Sequence, residues 1–478
     1  MDRPIEHYGI EKSWVLMLTF VENAPQLTTD EGLRAARPVT KIVLRANGWL
    51  RSTVATIPTV SRFMPVAYSF ADQAFAVGGI FLVNVVLART QTKEEYGMFA
   101  LYYSVLTFLS GVYNAAIVEP FTVYGSGRYR EHFSEYLRLM ARCNVALGLV
   151  LTGILLFTCL LLSWIAPQLM SRALFGLGLT VGVLLSGLFL RRVFYIQRQA
   201  ALAAKTSLVF ILTVACGLWL AAKAHVLDSF SVFLILALGW SAGGAGFGRK
   251  LAFGNPKQRF LELEPSYWRE HWNYTKWVLA TACVFQFTTQ GYYWLVAAFL
   301  SVKKVGELRA TYLLVQPVEQ VFIAISFIVL PALASHYAAK RMEDLLFLWK
   351  RNVLVVVGVT GLFALGVRIL GKPVMHVLYA GKFDGLAPLL YMLALSPLLI
   401  GIGGTMANAL NAVEKPRLVF YAFVSSGTAT FLLGIPLVMH FGLWGAAYGI
   451  LVSGATLVGT LTVAFLLNVY KTDSTAHR

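Results

Sequence analysis

Charged residues are scarce in this chain of 478 residues: only 13% are Asp, Glu, Lys or Arg, and 58% are hydrophobic. Soluble domains carry about 25% charged residues, so this composition excludes an ordinary soluble protein. Paired cysteines are also lacking, because the 4 present are scattered through apolar segments, at Cys143, Cys159, Cys216 and Cys283. Neither a disulfide nor a zinc site is expected. The 8 histidines form no cluster, so we predict no metal.

The sequence offers no nucleotide-binding motif. The stretch GVRILGKP (366–373) has the spacing of a phosphate-binding loop up to Lys372, but Pro373 stands where Ser or Thr is needed. We therefore predict no ATP hydrolysis and no cofactor.

Apolar runs make up most of the chain. A helix that crosses a bilayer needs about 20 apolar residues, and twelve runs of about this length recur. They lie at about 64–88, 98–121, 143–164, 172–190, 206–222, 230–247, 277–300, 310–333, 352–371, 386–410, 418–440 and 443–469. The pattern predicts an all-α integral membrane protein with about 12 transmembrane helices.

The formal charge of +17 is explained by membrane orientation rather than by a nucleic-acid partner. Positive residues concentrate in the cytoplasmic loops of membrane proteins. With the N-terminus inside, the inner segments hold 30 of the 40 Lys and Arg residues. We therefore predict that both termini are cytoplasmic and that no nucleic acid binds.

The helices divide into two six-helix bundles, which we predict to be related by internal duplication. A constant offset along the chain matches Gly97 with Gly306 and Tyr103 with Tyr312, each in a charged turn and the helix that follows it. Such parallel halves place a substrate path between them. The predicted segments are a cytoplasmic N-terminal extension, disordered or interfacial, then the first bundle, a cytoplasmic connector, the second bundle and a cytoplasmic tail, at 1–61, 62–247, 248–276, 277–469 and 470–478.

Three stretches resemble bacterial polysaccharide flippases, which belong to the multidrug/oligosaccharidyl-lipid/polysaccharide exporter superfamily. ADQAFAVGGIFLVNVVLARTQTKEEYGMFAL (71–101) resembles their opening hairpin, LALSPLLIGIGGTMANALNAVEKPRLVFY (393–421) their tenth helix, and FGLWGAAYGILVS (441–453) the start of their last helix. The resemblance implies alternating access in the bacterial inner membrane. It also implies a lipid-linked oligosaccharide as substrate, with membrane lipids, a polysaccharide polymerase and export proteins as partners.

Carboxylates within the spans need an explanation, because a charged residue at the bilayer centre costs about 2.5–3.5 kcal/mol. Only Asp72, Glu119 and Glu319 fall inside the predicted spans. Glu119 is interpreted as an interface carboxylate that reaches water or an arginine. Asp72 and Glu319 are the candidates for proton or cation coupling, and Glu319 lies close to the predicted midplane.

Glu319 belongs to the stretch LLVQPVEQVF (313–322), which is otherwise apolar. Gln316 shares its helical face, and Gln286 and Gln290 share one face of the preceding helix. We expect these three amides to line the substrate cavity, although inter-helix hydrogen bonding is the simpler alternative. Pro317 should bend the helix and act as a hinge.

An anionic lipid pyrophosphate needs cations along its path, and Arg62 and Arg309 are the candidates. We thus predict a flippase that moves lipid-linked oligosaccharide units for cell-surface polysaccharide synthesis. A cation-coupled multidrug exporter of the same superfamily is the alternative, and a membrane-embedded polymerase or transferase is a further one. An enzyme is disfavoured because the outer loops are short and poor in acids.

Overall fold

The computed structural model describes the residues 58–126, 129–165, 168–248 and 265–470. The chain divides into two compact units, Met1–Ala67 and Tyr68–Arg478, and the described part of the first unit is the beginning of the first helix. The predictions for the N-terminal extension, most of the connector and the tail therefore fall outside the described residues. The side chain of Arg62 does so as well.

The described residues contain helices and turns but no strands, which confirms the all-α prediction. The first half has the α-helices α1 Pro58–Thr90, α2 Lys93–Tyr113, α3 Glu119–Ser126, α4 Phe133–Leu162, α5 Gln168–Ile196, α6 Ala200–Lys223 and α7 Ser229–Phe247. The second half has α8 Pro265–Phe299, α9 Val302–Leu313, α10 Gln316–Ala338, α11 Met342–Tyr379, α12 Ala387–Leu393, α13 Ser396–Ala412, α14 Pro416–Leu432 and α15 Gly434–Phe465. A π-helical turn, Asn114–Val118, joins α2 to α3 ahead of Pro120.

Within the described residues, ten helices or joined helix pairs are long and apolar enough to cross a membrane. Two further predicted spans, 277–300 and 418–440, coincide with α8 and with α14 plus the first residues of α15. Helix α8 begins at Pro265, well before the predicted span, because proline suits the first turn of a helix and the next proline comes at 317.

Matched caps begin the two helices that follow the matched turns. Thr92 accepts a hydrogen bond from the Glu95 amide at the start of α2, and Ser301 accepts one from the Lys304 amide at the start of α9. Each cap satisfies a free amide of the first helical turn. Thr92 and Ser301 are separated by the same offset as Gly97 and Gly306.

The last two predicted spans form a hairpin whose turn lies within α15. Gly442 has φ +59°, a conformation that glycine adopts without strain, and the chain reverses there. Gly445 then lies so close to the Leu437 carbonyl that a Cβ would overlap it. The predicted boundary between spans 418–440 and 443–469 therefore falls at this reversal.

Small residues let helices of the first half approach closely. Gly182 on α5 lies against Gly148 on α4, where an added Cβ at Gly148 would come within 3.1 Å of the Gly182 Cα. Gly178, one turn away, contacts Leu156 of the same helix. The spacing GLTVG (178–182) thus serves helix packing.

Buried apolar side chains form two separate cores. The larger core runs through the first half and continues into α8, α9 and α12 of the second half. The smaller core joins the ends of α10, α13 and α15 to the beginnings of α11 and α14, and its members include Leu333, Leu345, Leu410, Val419 and Leu461. We call the end of the molecule with the turns before α2 and α9 the hairpin end, and the opposite end the connector end. The smaller core lies at the connector end.

Candidate functional site

The two halves meet at the hairpin end through the glycines that the offset matches. A Cβ on Gly97 would overlap the carbonyl of Val302, and one on Gly306 would lie 2.8 Å from the Lys93 carbonyl oxygen. Helices α2 and α9 therefore cross in direct backbone contact. Because each glycine faces the other helix, any side chain at either position would force the crossing apart.

Ion pairs surround this crossing. The Glu307 carboxylate is 5% exposed and lies 3.2 Å from the Lys93 Nζ of the first half and 2.7 Å from the Lys304 Nζ of its own helix. A weaker pair joins Lys303 to Glu94 at 3.8 Å. Opposite charges thus hold the matched turns together. The Lys303–Glu94 pair is exposed at the surface, so its attraction should weaken as salt is added.

Arg309 lies beneath the crossing, not in an open path. Its side chain is 5% exposed, and its Nε donates to the Asn84 Oδ1 at 3.1 Å. Its guanidinium lies over the rings of Tyr103 and Tyr293, with 5.1 and 6.0 Å to their centroids. Among the described residues no carboxylate forms an ion pair with it. In this conformation Arg309 joins the halves through cation–π contacts.

At the connector end, the first half is contacted by α8. The Tyr136 hydroxyl lies 3.1 Å from the His271 Nε2, and the Tyr274 hydroxyl donates to the Glu119 Oε1 at 3.4 Å. The remaining helices of the second half gather around their own smaller core there. The contacts between the halves are therefore extensive at the hairpin end and confined largely to one helix at the connector end.

The His271 contact predicts a pH-dependent stability. Burial lowers the pKa of His271 from 6.5 to about 4. The unfolded chain binds a proton at a higher pH than the folded protein does, so stability is lost as the pH falls below about 6.5 and the loss levels off near pH 4. His271→Phe should flatten this dependence in thermal unfolding of the detergent-solubilised protein between pH 8 and pH 5. His440→Phe, which changes an exposed histidine, should leave it unchanged; equal pH dependence in wild type and His271→Phe would refute the assignment.

The helix that carries Glu319 is interrupted at the predicted position. Helix α9 ends at Leu313 and α10 begins at Gln316, with Pro317 in its first turn. Across the break, the Val315 amide donates to the Tyr312 carbonyl at 3.0 Å. The Glu319 Oε1 accepts a hydrogen bond of 2.7 Å from the Tyr312 hydroxyl, which comes from the other side of the break.

The predicted amides do not gather around Glu319. The Gln286 side chain lies against Gly111 of α2, where a Cβ would overlap it, and Gln290 contacts Thr289 beside it. Gln286 therefore faces the first half. Among the described residues no hydrogen bond joins Gln286, Gln290 or Gln316 to Glu319. Among the described residues, the side chain that donates to Glu319 is Tyr312, which the sequence marks only by its match with Tyr103 in the repeat.

Asp72 is fully buried in the first half. Its carboxylate accepts from the Arg191 Nη2 at 2.6 Å, from the Tyr195 hydroxyl at 2.6 Å and from the Ser207 hydroxyl at 2.5 Å. Arg191 also donates to Gln73, at 2.6 Å. Helices α1, α5 and α6 are thus joined by one charge-balanced network. The arginine, which ends a predicted span, was visible in the sequence, but its pairing depends on the tertiary fold.

The Asp72 pair predicts a coupled loss of stability. Asp72→Asn should lower the unfolding temperature, because the 14% exposed Arg191 side chain then lacks its counter-charge. Arg191→Gln, added to Asp72→Asn, should restore part of the loss. The measurement is a double-mutant cycle of thermal unfolding in detergent. Additive losses would contradict an ion pair, and Arg172→Gln with Asp228→Asn provides the matched exposed pair, for which the coupling should be small.

Among the described residues no group of His, Cys, Asp and Glu side chains has the arrangement of a metal site. The polar side chains within the helices instead form three separate sets. They are the Arg309 set at the hairpin end, the Glu319 pair at the helix break and the Asp72 network of the first half. Chemically, the carboxylates of Glu319 and Asp72 can bind and release a proton or cation, and the Arg309 guanidinium can contact an anion.

No known protein family and no curated protein matches the sequence. Solved structures do match. An inward-facing multidrug resistance MATE family transporter of the MOP superfamily has TM-score 0.64 and 11% identity, over 86% of this chain and 95% of that one. The lipid II flippase MurJ, in an inward closed conformation, has TM-score 0.64 and 15% identity, over 84% and 87%. The eukaryotic MATE transporter AtDTX14 has TM-score 0.57 and 15% identity, over 86% and 95%. The all-α membrane fold predicted from the sequence is therefore confirmed, and these solved transporters share it.

Proposed function

We propose that this protein is a membrane transporter that works by alternating access. The observation that carries the proposal is the uneven contact between the halves. Matched glycines and ion pairs close the hairpin end, whereas the second half has its own core at the connector end. A substrate path between the halves would therefore be shut at the hairpin end, and loss of these contacts would open it. The solved structures that share the fold include a MATE family transporter and the lipid II flippase MurJ.

We propose that the substrate is a lipid-linked oligosaccharide, moved from the cytoplasmic to the periplasmic face of a bacterial inner membrane. The support is the resemblance of three stretches to polysaccharide flippases and the shared fold with the lipid II flippase MurJ. Gln286, Gln290 and Gln316 would contact sugar hydroxyls, and Arg62 and Arg309 the pyrophosphate. Arg309 would become available to it only when the hairpin end opens.

We propose that coupling centres on Glu319, with Asp72 as a second candidate. Among the described residues, the Glu319 carboxylate accepts from one neutral donor, whereas the Asp72 carboxylate accepts from an arginine and two hydroxyls. Protonation of Glu319 therefore leaves no buried counter-charge, but protonation of Asp72 would leave Arg191 unpaired. Glu319 would take a proton from the more acidic outer compartment and release it inside, and Pro317 would supply the bend.

With both termini cytoplasmic, the hairpin end would face the periplasm and the structure would represent an inward-facing state. Membrane lipids surround such a protein, and a polysaccharide polymerase and export proteins would receive its product. Reporter fusions at Ala224 and Lys340 test the orientation, since the two residues end helices at opposite ends of the molecule. Reporters on the same side would overturn the topology.

Reconstitution separates the proposed substrate from the alternative. Proteoliposomes would hold either a polyprenyl-pyrophosphate oligosaccharide with a fluorescent sugar, quenched from outside, or a cationic dye for export. Protein-dependent movement of the lipid-linked sugar supports the flippase. Dye transport without sugar movement would instead support a multidrug exporter of the same fold, such as the MATE transporters that match in structure.

A further inference from the structure

A second helix break lies beside the one that Pro317 marks. Helix α12 ends at Leu393 and α13 begins at Ser396, with Pro397 in its first turn. The sequence LALSP (393–397) repeats the pattern of LLVQP (313–317): two residues between helices, then a polar residue and a proline. The sequence contains this similarity, and the structure shows that both stretches interrupt a helix.

The backbone is the same at both breaks. The Leu395 amide donates to the Met392 carbonyl at 3.1 Å, as the Val315 amide does to the Tyr312 carbonyl at 3.0 Å. Three residues farther along the second break, the Leu398 amide donates to the Leu395 carbonyl at 3.1 Å. Each break is thus a short 3-10 turn between two α-helical segments, a geometry that often marks a hinge.

The two broken helices lie side by side. Helix α10 contacts α13, and α9 contacts α12, so that the segments before the breaks are paired and the segments after them are paired. Val315 and Ala394, one in each break, are fully buried. A change in the angle of one break therefore displaces the other, because closely packed helices transmit such movements.

One side chain connects Glu319 with both breaks. Tyr312 precedes the first break, and its hydroxyl donates to Glu319 beyond that break at 2.7 Å. Ser396, the first residue after the second break, is 2% exposed and adjoins Tyr312. Within the described residues the Ser396 hydroxyl has no partner at ordinary hydrogen-bond geometry. It can therefore accept a hydrogen bond from the Tyr312 hydroxyl in place of Glu319.

We propose that Tyr312 is a positioning residue that makes α10 and α13 a paired hinge, so that protonation of Glu319 moves both helices together. The inference rests on the proposed coupling role of Glu319. When the carboxylate is protonated, its demand for the Tyr312 hydroxyl falls, and Tyr312 turns to Ser396. Tyr312 on α9 is the titratable group that contacts Glu319, and Tyr293 on α8 adjoins Tyr312. Among the described residues α11 and α13 place no charged group against this carboxylate.

Distance measurements by electron spin resonance test the pairing. Spin labels at Ala338 on α10 and at Asn411 on α13 would each be measured against a label at Gln199 of the first half, after replacement of the four native cysteines. In the otherwise unchanged protein, both distances should shift between pH 8 and pH 5 with one common midpoint. Two different midpoints would overturn the paired hinge.

Tyr312→Phe should leave the α10 distance responsive to pH and abolish the response of the α13 distance. Tyr379→Phe is the matched control, since the Tyr379 hydroxyl donates to the Ala310 carbonyl at 2.8 Å and not to Glu319. Pro397→Ala should likewise abolish the α13 response, whereas Pro331→Ala, within the continuous part of α10, should not. A common midpoint retained in Tyr312→Phe would overturn the role of Tyr312.

The same measurement distinguishes this inference from the proposals on which it rests. Glu319→Gln should remove the pH response of both distances. If it does not, both the coupling role of Glu319 and the paired hinge are refuted. If Glu319→Gln removes the response while proteoliposomes move no lipid-linked sugar, the substrate proposal alone is overturned and the paired hinge is supported.

Discussion

Gly97→Val should reduce transport by about fivefold to a hundredfold while the protein still inserts into the membrane. A side chain at Gly97 would overlap the Val302 carbonyl, so the hairpin end cannot close. Overpacking of a tight contact costs about 1–3 kcal/mol, and 1.4 kcal/mol corresponds to a tenfold change in the population of the closed state. Transport in proteoliposomes, at equal amounts of reconstituted protein, measures the effect.

Gly361→Val is the matched control, because an added Cβ at Gly361 on α11 meets no atom within 4 Å. That variant should transport at the wild-type rate. Gly306→Val should behave like Gly97→Val, since the two glycines face each other across the crossing. Wild-type transport by Gly97→Val would show that closure of the hairpin end is not part of the cycle.

Glu319→Gln should abolish proton-driven transport while leaving folding and substrate binding intact. Glutamine keeps the shape of the side chain and an oxygen that accepts from the Tyr312 hydroxyl, but it cannot take up a proton. Accumulation driven by an imposed pH gradient would be measured across a range of external pH. Movement of substrate down its own gradient should persist, which separates loss of coupling from loss of the protein.

Gln320→Glu with Glu319→Gln is a useful companion, because Gln320 lies beside Glu319 on an exposed face of α10. Moving the carboxylate by one residue restores the charge but not the contact with Tyr312, so coupling should remain absent. If Glu319→Gln transports like wild type at every pH, Glu319 serves packing alone and the proposed coupling is wrong.

The type and order of the membrane helices were predictable because the bilayer imposes them, although several predicted spans are divided between two helices. Hydrocarbon requires about 20 apolar residues for each crossing, and loops that lack apolar runs mark the ends. The break before Gln316 was equally predictable, since Pro317 removes a backbone donor. The ends of the helices were less predictable, because the length of an apolar run does not mark where its helix begins: α8 starts at Pro265 and includes the polar residues Glu270 and Asn273.

The partners of the buried charges were not predictable from the sequence. Arg191 is distant from Asp72 along the chain, and only the packing of α5 against α1 brings them together. Gln286 and Glu319 were predicted on consecutive helices, but the sequence does not fix the direction in which a helical face points, and Gln286 turns toward Gly111. Arg309 was predicted as a cation along the substrate path, yet its burial among Tyr103 and Tyr293 depends on how the halves meet.

A reversible crosslink across the hairpin end tests the central claim most directly. Glu94 and Lys303, which lie in opposite halves with 3.8 Å between their charged atoms, would be replaced by cysteine in a protein without its four native cysteines. A short thiol crosslinker that a reductant cleaves would then hold the two turns together. We expect that crosslinked protein in proteoliposomes stops moving the lipid-linked sugar and that reduction restores the movement. Either single cysteine variant should be unaffected by the crosslinker. Undiminished transport by the crosslinked protein would contradict alternating access through this end.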